Sequence, residues 1–431
     1  MGEQTESLTV AAAPREARRY YGWGMLLAVA FAQMTSWGIL YYGFSVFVPP
    51  VRRELGWSLP QMTGAFSVSL LASGVAGVFV GRWIDHHGPR ALMTVGSVAA
   101  TLLVLLWAGV GSLVAFYLIW AGIGVVTAAV LYEPAFALVA TWFVRRRSRA
   151  LTMLTFIGGF ASVVFVPLAA WLQGVVGWRH ALIVFAALLA IVTIPIHALV
   201  VRWRPQDIGL LPDGDTAPRD DAPARPIPAE VSVPRDVAIR SASFRWLNIG
   251  FCLVLFANIA TTVLLIPYLT DAGFSPTFAA SAAGLIGIMS LPGRLVFTPL
   301  GGKLPRRYVT ALIFALQTGG LIALATTHSA VGVWAFVVLF GAGFGALTPA
   351  RASLIMELYG PAHYASIAGV AALLKTMAQG FAPVSAGLLY AAVGGYAPVF
   401  WTMVAISTLS IGAILRIERR VPVPVPAIAE G

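Results

Sequence analysis

Apolar runs of about twenty residues recur along the whole chain, and this is the length at which a helix crosses ~30 Å of hydrocarbon. Lipid tolerates no exposed backbone N–H or C=O, so such runs fold as spanning helices. Twelve are read, at approximately 21 to 48, 60 to 82, 91 to 110, 113 to 142, 149 to 172, 179 to 201, 244 to 269, 276 to 300, 308 to 327, 330 to 357, 366 to 391 and 396 to 416. With 59% hydrophobic and 10% charged residues, the chain has too little polar surface for a water-soluble globule. The single cysteine, Cys252, sits inside an apolar run, which excludes a disulfide-stapled secreted domain.

Six runs lie on each side of one polar stretch, Arg202 to Phe244, which holds Pro205, Pro212, Pro218, Pro223, Pro226, Pro228 and Pro234 and no apolar periodicity. The expected organisation is an amino-terminal tail (1–20), a six-helix bundle (21–201), a mobile linker (202–243), a second six-helix bundle (244–416) and a carboxy-terminal tail (417–431). The first twenty residues carry Arg15, Arg18 and Arg19 and lack a small-residue cleavage site, so no cleaved signal peptide is expected.

With the amino terminus in the cytoplasm, 22 of the 28 Lys and Arg fall on cytoplasmic segments, 3 on outer loops (Arg52, Arg53, Arg179) and 3 inside spans. The positive-inside rule accepts this orientation and rejects its inverse, so the net charge of +11 reports topology rather than nucleic-acid binding. A multi-pass protein of the cell (inner) membrane with both termini cytoplasmic is expected. Arg145, Arg146, Arg147 and Arg149, and the tail residues Arg416, Arg419 and Arg420, read as anchors at lipid headgroups.

The halves repeat. Pro50-Val-Arg-Arg-Glu54-Leu-Gly56-Trp57-Ser58 is matched 217 residues later by Pro267-Tyr-Leu-Thr-Asp271-Ala-Gly273-Phe274-Ser275. In each, a proline is expected to close a helix, an acid sits in the following loop, glycine turns the chain and serine caps the next helix. The same offset carries Val176-Gly177 onto Val393-Gly394, and Pro134 meets Pro349 at nearly that offset. Two similar bundles offer two nearly equal packings, so the repeat points to a carrier whose halves rock about a midplane site.

The loop Gly81-Arg-Trp-Ile-Asp85-His86-His87-Gly88-Pro89-Arg90 resembles the signature loop of the major facilitator superfamily, Gly-x-x-x-Asp-Arg-x-Gly-Arg-Arg. His86 and Pro89 stand where that signature has basic residues. Gly81 permits close helix contact, Asp85 accepts hydrogen bonds from a neighbouring helix terminus, Gly88 allows a tight turn and Arg90 faces the anionic leaflet. Together they read as a conformational latch. The second half has Thr298-Pro-Leu-Gly-Gly302-Lys303-Leu-Pro305-Arg306-Arg307, a degenerate copy without the acid.

Other features resemble the branch that contains bacterial oxalate/formate antiporters and monocarboxylate transporters: Pro50 through Ser58, Trp142-Phe143, Gly177-Trp178-Arg179, Arg204-Pro205-Gln206-Asp207-Ile208-Gly209, Gly293-Arg294 and Lys375. The resemblance implies an all-α membrane protein of twelve transmembrane helices in two pseudo-symmetric six-helix bundles. It further implies that Arg294 and Lys375 bind substrate carboxylates and that Tyr41, Tyr42 and Tyr132 line the site. Those carriers place bulky aromatics around the positions of Gly341, Gly345 and Ala372, so a roomier cage and a substrate larger than oxalate are expected.

At ~1.5 Å per helical residue, Glu133, Arg294 and Lys375 all fall about 13 to 15 Å from the cytoplasmic ends of their spans. A charge at that depth costs at least ~2.5 kcal/mol, so each requires an aqueous cavity or a partner. Their sum is +1, which suits an anion. Arg294 offers a planar fork and Lys375 a rotatable point charge. A structural pairing of Glu133 with Arg294 or Lys375 is the plainer alternative. Glu133, absent from the oxalate carriers, is the candidate for proton coupling.

Trp37 and Phe44 join the tyrosines as possible walls of a cavity. Arg351 is close enough to a span end to snorkel and reads as a gate or interface residue. His180, His197, His328 and His363 read as surface or interface histidines. No nucleotide-binding glycine loop, metal cluster or nucleophile triad is found, so neither an enzyme, a cofactor nor a metal is expected. The reading is a monomeric secondary carrier of a small organic anion, a monocarboxylate or compact dicarboxylate, working by proton symport or anion exchange. Its alternatives are an efflux carrier for drugs or other small molecules and a non-transporting membrane sensor.

Overall fold

The computed structural model describes residues 20–215, 232–300, 304–326 and 329–418. Among the described residues the regular structure is entirely helical. The long helices are α1 (Tyr21–Leu55), α2 (Leu59–His87), α3 (Arg90–Ala108) and α4 (Leu113–Trp142). A continuous 54-residue stretch follows, Arg147–Val200, whose ~1.5 Å rise per residue would carry it across more than two bilayer cores. It is interrupted at Gly177, whose φ of 77° and ψ of 163° end one helix and begin another. Dividing it there gives α5 (147–176) and α6 (178–200). The second half holds α7 (Ala242–Asp271), α8 (Pro276–Leu300), α9 (Arg306–Thr326), α10 (Ala330–Tyr359), α11 (Tyr364–Val393) and α12 (Tyr396–Leu415). Among the described residues ten stretches are long and apolar enough to cross a membrane; the 54-residue stretch counts once, and the apolar part of α8 is the shorter Ser281–Phe297.

The offset of 217 recurs in geometry. Gly56 (φ 70°) and Gly273 (φ 92°) both take the left-handed conformation that spares glycine the Cβ penalty. Ser58 Oγ accepts from the Gln61 N–H at 3.3 Å, and Ser275 Oγ accepts from the Phe278 N–H at 3.2 Å. Arg179 pairs with Glu54 at 2.9 Å, and at the matching positions Tyr396 Oη donates to Asp271 at 2.7 Å. Gly177 and Gly394 turn with φ of 77° and 70°. The prolines do not close their helices: Pro49, Pro50 and Pro267 lie inside α1 and α7, which run on to Leu55 and Asp271. The left-handed glycine, not the proline, ends α1.

The described part of the linker is docked rather than loose. The tight turn between α4 and α5 leaves backbone N–H groups without helical acceptors. Asp213, buried and held at φ 60°, supplies them, accepting from Val144 at 3.1 Å, Arg145 at 2.7 Å and Arg146 at 3.1 Å. Arg145 also pairs with Asp215. Buried Arg147 donates to the carbonyls of Phe143 at 2.9 Å and Ala140 at 3.1 Å, so it closes the end of α4 instead of facing lipid. Tyr20 Oη donates to Leu211 O at 3.1 Å, and Trp142 Nε1 to Arg202 O at 3.0 Å. Beyond the undescribed 216–231, the Val233 N–H donates to Tyr359 O at 3.0 Å. Arg15, Arg18, Arg19, Lys303, His328, Arg419 and Arg420 lie outside the described residues.

The halves meet toward the face that carries the linker, here the linker face. Along α2 and α11, Gly81 abuts the Ala365 carbonyl and Gly369 abuts that of Gly77, with no room for a methyl at either. Asp85 accepts from the Ala365 and Ser366 N–H groups at 3.1 and 3.0 Å, capping the start of α11 from the opposite half. Gly88 (φ 76°) makes the turn into α3 and lies against Trp203. Arg90 is used within the protein: its Nε and Nη2 donate to Ala198 O at 3.0 and 2.7 Å, at the end of α6. Losing such a cap costs about 0.5–2 kcal/mol. Asp85→Ala is therefore expected to loosen the linker face and to speed maleimide labelling of a cysteine placed at Ser366; unchanged labelling would remove Asp85 from the latch.

Candidate substrate site

Three helices of the first half lose their regularity, at Gly38–Tyr42, at Leu131 and at Phe160. In α1, Gly38–Tyr42 forms a π-helical turn, packed so closely that Gly38 has no space for a Cβ against Phe165. Such turns are frequent at functional sites because they re-aim the side chains around them. In α4, Leu131 leaves the helix (φ −83°, ψ −153°) and the chain re-enters it at Tyr132. In α5, Phe160 (φ −73°, ψ −3°) offsets the helix just after Gly159. Irregular backbone at membrane depth persists where it lines a cavity or is buried in protein.

These irregularities bring the predicted aromatics together. Trp37 has ring-centroid distances of 5.2 Å to Tyr41, 6.4 Å to Tyr42 and 5.3 Å to Tyr132. Tyr132 in turn stacks on Phe136 at 5.2 Å. Phe44 turns away into the core, 4.8 Å from Phe66 and 4.7 Å from Trp120. All three tyrosines are half-buried, and the charge of Arg294 reaches the hydroxyls of Tyr42 and Tyr132.

Arg294 sits at the junction of three helices and both halves. Its Nε donates to Gly345 O on α10 at 3.1 Å and its Nη1 to Thr155 O on α5 at 2.6 Å. Gly159 makes the space, because a Cβ there would collide with the guanidinium. The fork is thus oriented from both sides, in keeping with the preference of arginine for planar, multidentate recognition.

Glu133 pairs with Arg351, on α10, and not with Arg294 or Lys375. The snorkelling expected of Arg351 is not seen: it is 5% exposed and turned inward. An inward carboxylate offers it a charge-assisted bond that the headgroups, one or two turns away, would have to match. The pair is incompletely satisfied, since Glu133 Oε2 and Arg351 Nη1 are buried without a partner among the described residues. Lys375, half-buried on α11, lies within electrostatic reach of both, and has no hydrogen bond or ion pair among the described residues.

Other expectations are corrected. Gly341 and Gly345 do not open a cage. Gly341 lies against Ile286 and Met289 and Gly345 against the Ser290 backbone, so both serve close packing of α10 on α8. His197 is fully buried, 2.7 Å from Ser97 Oγ, and is no surface histidine. Gln33, Thr155 and Gly159 belong to the site and were not singled out from the sequence. The signal for Gln33 lay in Pro134, a residue that deprives a neighbouring carbonyl of its donor.

Residues 25–383 match the Major Facilitator Superfamily. The chain belongs to the Major Facilitator Superfamily. It is a membrane transporter and not an enzyme. It is 24% identical over 378 residues to monocarboxylate transporter 13 of Bos taurus, covering 87% of this chain and 82% of that one. Monocarboxylate transporter 4 of Rattus norvegicus is 24% identical over 392 residues, covering 88% and 79%. Among solved structures, a bacterial homologue of the iron transporter ferroportin, in an outward-facing state with soaked iron, superposes with a TM-score of 0.71 at 15% identity. That match covers 93% of this chain and 99% of the other. At that identity the likeness speaks for the superfamily fold alone. The expectation of an all-α membrane protein of this superfamily therefore holds.

Proposed function

We propose that the chain is a secondary carrier of small organic anions, monocarboxylates first, working by alternating access with proton coupling. The observation that carries this reading is Arg294: a permanent cation at the meeting of α5, α8 and α10, whose charge reaches Tyr42 and Tyr132. A carboxylate arriving at its fork competes with the Thr155 carbonyl of the opposite half, so substrate binding and the opening of the linker face become linked. Glu133 and Arg351 form a second tie between halves, and protonation of Glu133 would release it. Lys375 leaves a positive charge over, which favours an anion and opposes a cationic drug. The similarity to monocarboxylate transporters over most of both chains supports the same substrate class.

The arrangement proposed is twelve crossings in two six-helix halves, with linker and termini in the cytoplasm of the cell membrane and a monomer as the working unit. The conformation described is then closed toward the cytoplasm, because Asp85 ties the halves on that side while Glu133 and Arg294 tie them at the depth of the site. Purified protein in liposomes is expected to accumulate labelled L-lactate when an inward proton gradient is imposed, and to do so above protein-free liposomes. No uptake of mono- or dicarboxylates, with uptake of a cationic drug or a sugar instead, would overturn the reading.

A further inference from the structure

We propose that Gln33 is a positioning residue that keeps α4 broken and so sets Tyr132 and Glu133 in the site. In an uninterrupted helix the carbonyl of Val130 would accept from the N–H of residue 134. Residue 134 is proline and has none. Gln33, fully buried on α1, supplies the missing donor: its Nε2 lies 2.7 Å from Val130 O and 3.2 Å from Leu131 O. One carboxamide with two N–H bonds thus holds two consecutive carbonyls. The Leu131 ψ of −153°, against about −42° in a helix, is the conformation that presents them. The helix then restarts with Tyr132 and Glu133 in its first turn, where Glu133 meets Arg351.

The second half carries the same device in a simpler form. Pro349, inside α10, leaves the Gly345 carbonyl without its helical donor, and Arg294 Nε fills the vacancy at 3.1 Å. A single N–H satisfies a single carbonyl there, and α10 stays continuous. In each half a proline orphans a carbonyl, and a polar side chain from a neighbouring helix answers it. In the first half the answering side chain reaches the site only through α4.

The proposal rests on the transport reading for its uptake measurement but not for its stability measurements. Gln33→Leu is expected to lower the Tm and to reduce lactate uptake at least about tenfold, the scale at which misplaced reacting groups are felt. Adding Pro134→Ala returns an N–H to residue 134. The Tm then rises above that of Gln33→Leu alone but stays short of the wild type, because the healed helix carries Glu133 away from Arg351, and uptake stays low for the same reason. In that background Glu133→Gln no longer lowers the Tm as it does in the wild type. Recovery of Tm and uptake together overturns the proposal, since a merely structural bond needs nothing more. It is equally overturned if Pro134→Ala fails to raise the Tm of Gln33→Leu, or if Glu133→Gln costs the same in both backgrounds. Absence of lactate uptake by the wild type would fall on the transport reading alone, and the Tm comparisons would still decide for or against Gln33.

Discussion

Arg294→Ala is expected to weaken carboxylate binding severely while leaving the protein inserted in the membrane. The wild-type Tm should rise with L-lactate, because a ligand that binds only the folded state stabilises it by mass action. A hydrogen bond to a charged group is worth about 1.5–3 kcal/mol, so losing the fork weakens binding by one to two orders of magnitude even if Lys375 still attracts the anion. Arg294→Lys keeps the charge but loses the fork, and is expected to recover only part of the shift. A full lactate shift in Arg294→Ala would remove this residue from the site.

The same variant has a second consequence that separates the roles of one side chain. Arg294 Nε satisfies the carbonyl that Pro349 orphans, and Nη1 joins α8 to Thr155 in the other half. The unliganded Arg294→Ala protein should therefore melt below the wild type, since an unsatisfied buried carbonyl costs about 1–3 kcal/mol. Arg294 is at once a binding group, a replacement donor and a tie between halves.

How much of this was written in the residues can be judged from particular positions. The repeat was legible because turns are local chemistry: Gly56 and Gly273, Gly177 and Gly394, and the caps Ser58 and Ser275 do in space what their sequence context implies. Asp85 was legible for a similar reason, since an acid at the end of a spanning helix needs donors and a helix start offers them. Pairing within the membrane was not. Arg294 and Lys375 fall at the depth of Glu133 while Arg351 falls nearer a span end, so helical rise, which gives depth without azimuth, pointed away from the partner the structure shows. The glycines of α10 failed likewise: whether Gly345 faces a cavity or the Ser290 backbone depends on helix rotation, which only packing decides.

Glu133→Gln is expected to separate exchange from accumulation. The carboxylate holds Arg351 across the interface of the halves, and both are largely withdrawn from water. Breaking a buried pair by removing one partner costs about 3–5 kcal/mol, because the remaining charge stays desolvated. Glutamine therefore lowers the Tm, and it leaves Arg351 and Lys375 as two uncompensated cations. It also fixes the neutral state that a proton would otherwise confer, so the step that consumes the gradient disappears. Lactate exchange with equal substrate on both sides should persist, since it needs the site but no net proton movement, whereas uptake driven by a pH gradient falls at least about tenfold, a loss equivalent to ~1.4 kcal/mol of coupling. Replacing both partners, Glu133→Gln with Arg351→Gln, should recover much of the Tm, because neutral pairs of similar size often match a buried ion pair in stability. Coupling is not expected to return with it. Gradient-driven uptake at the wild-type level in Glu133→Gln would remove the carboxylate from proton coupling and leave the pair as a structural tie alone.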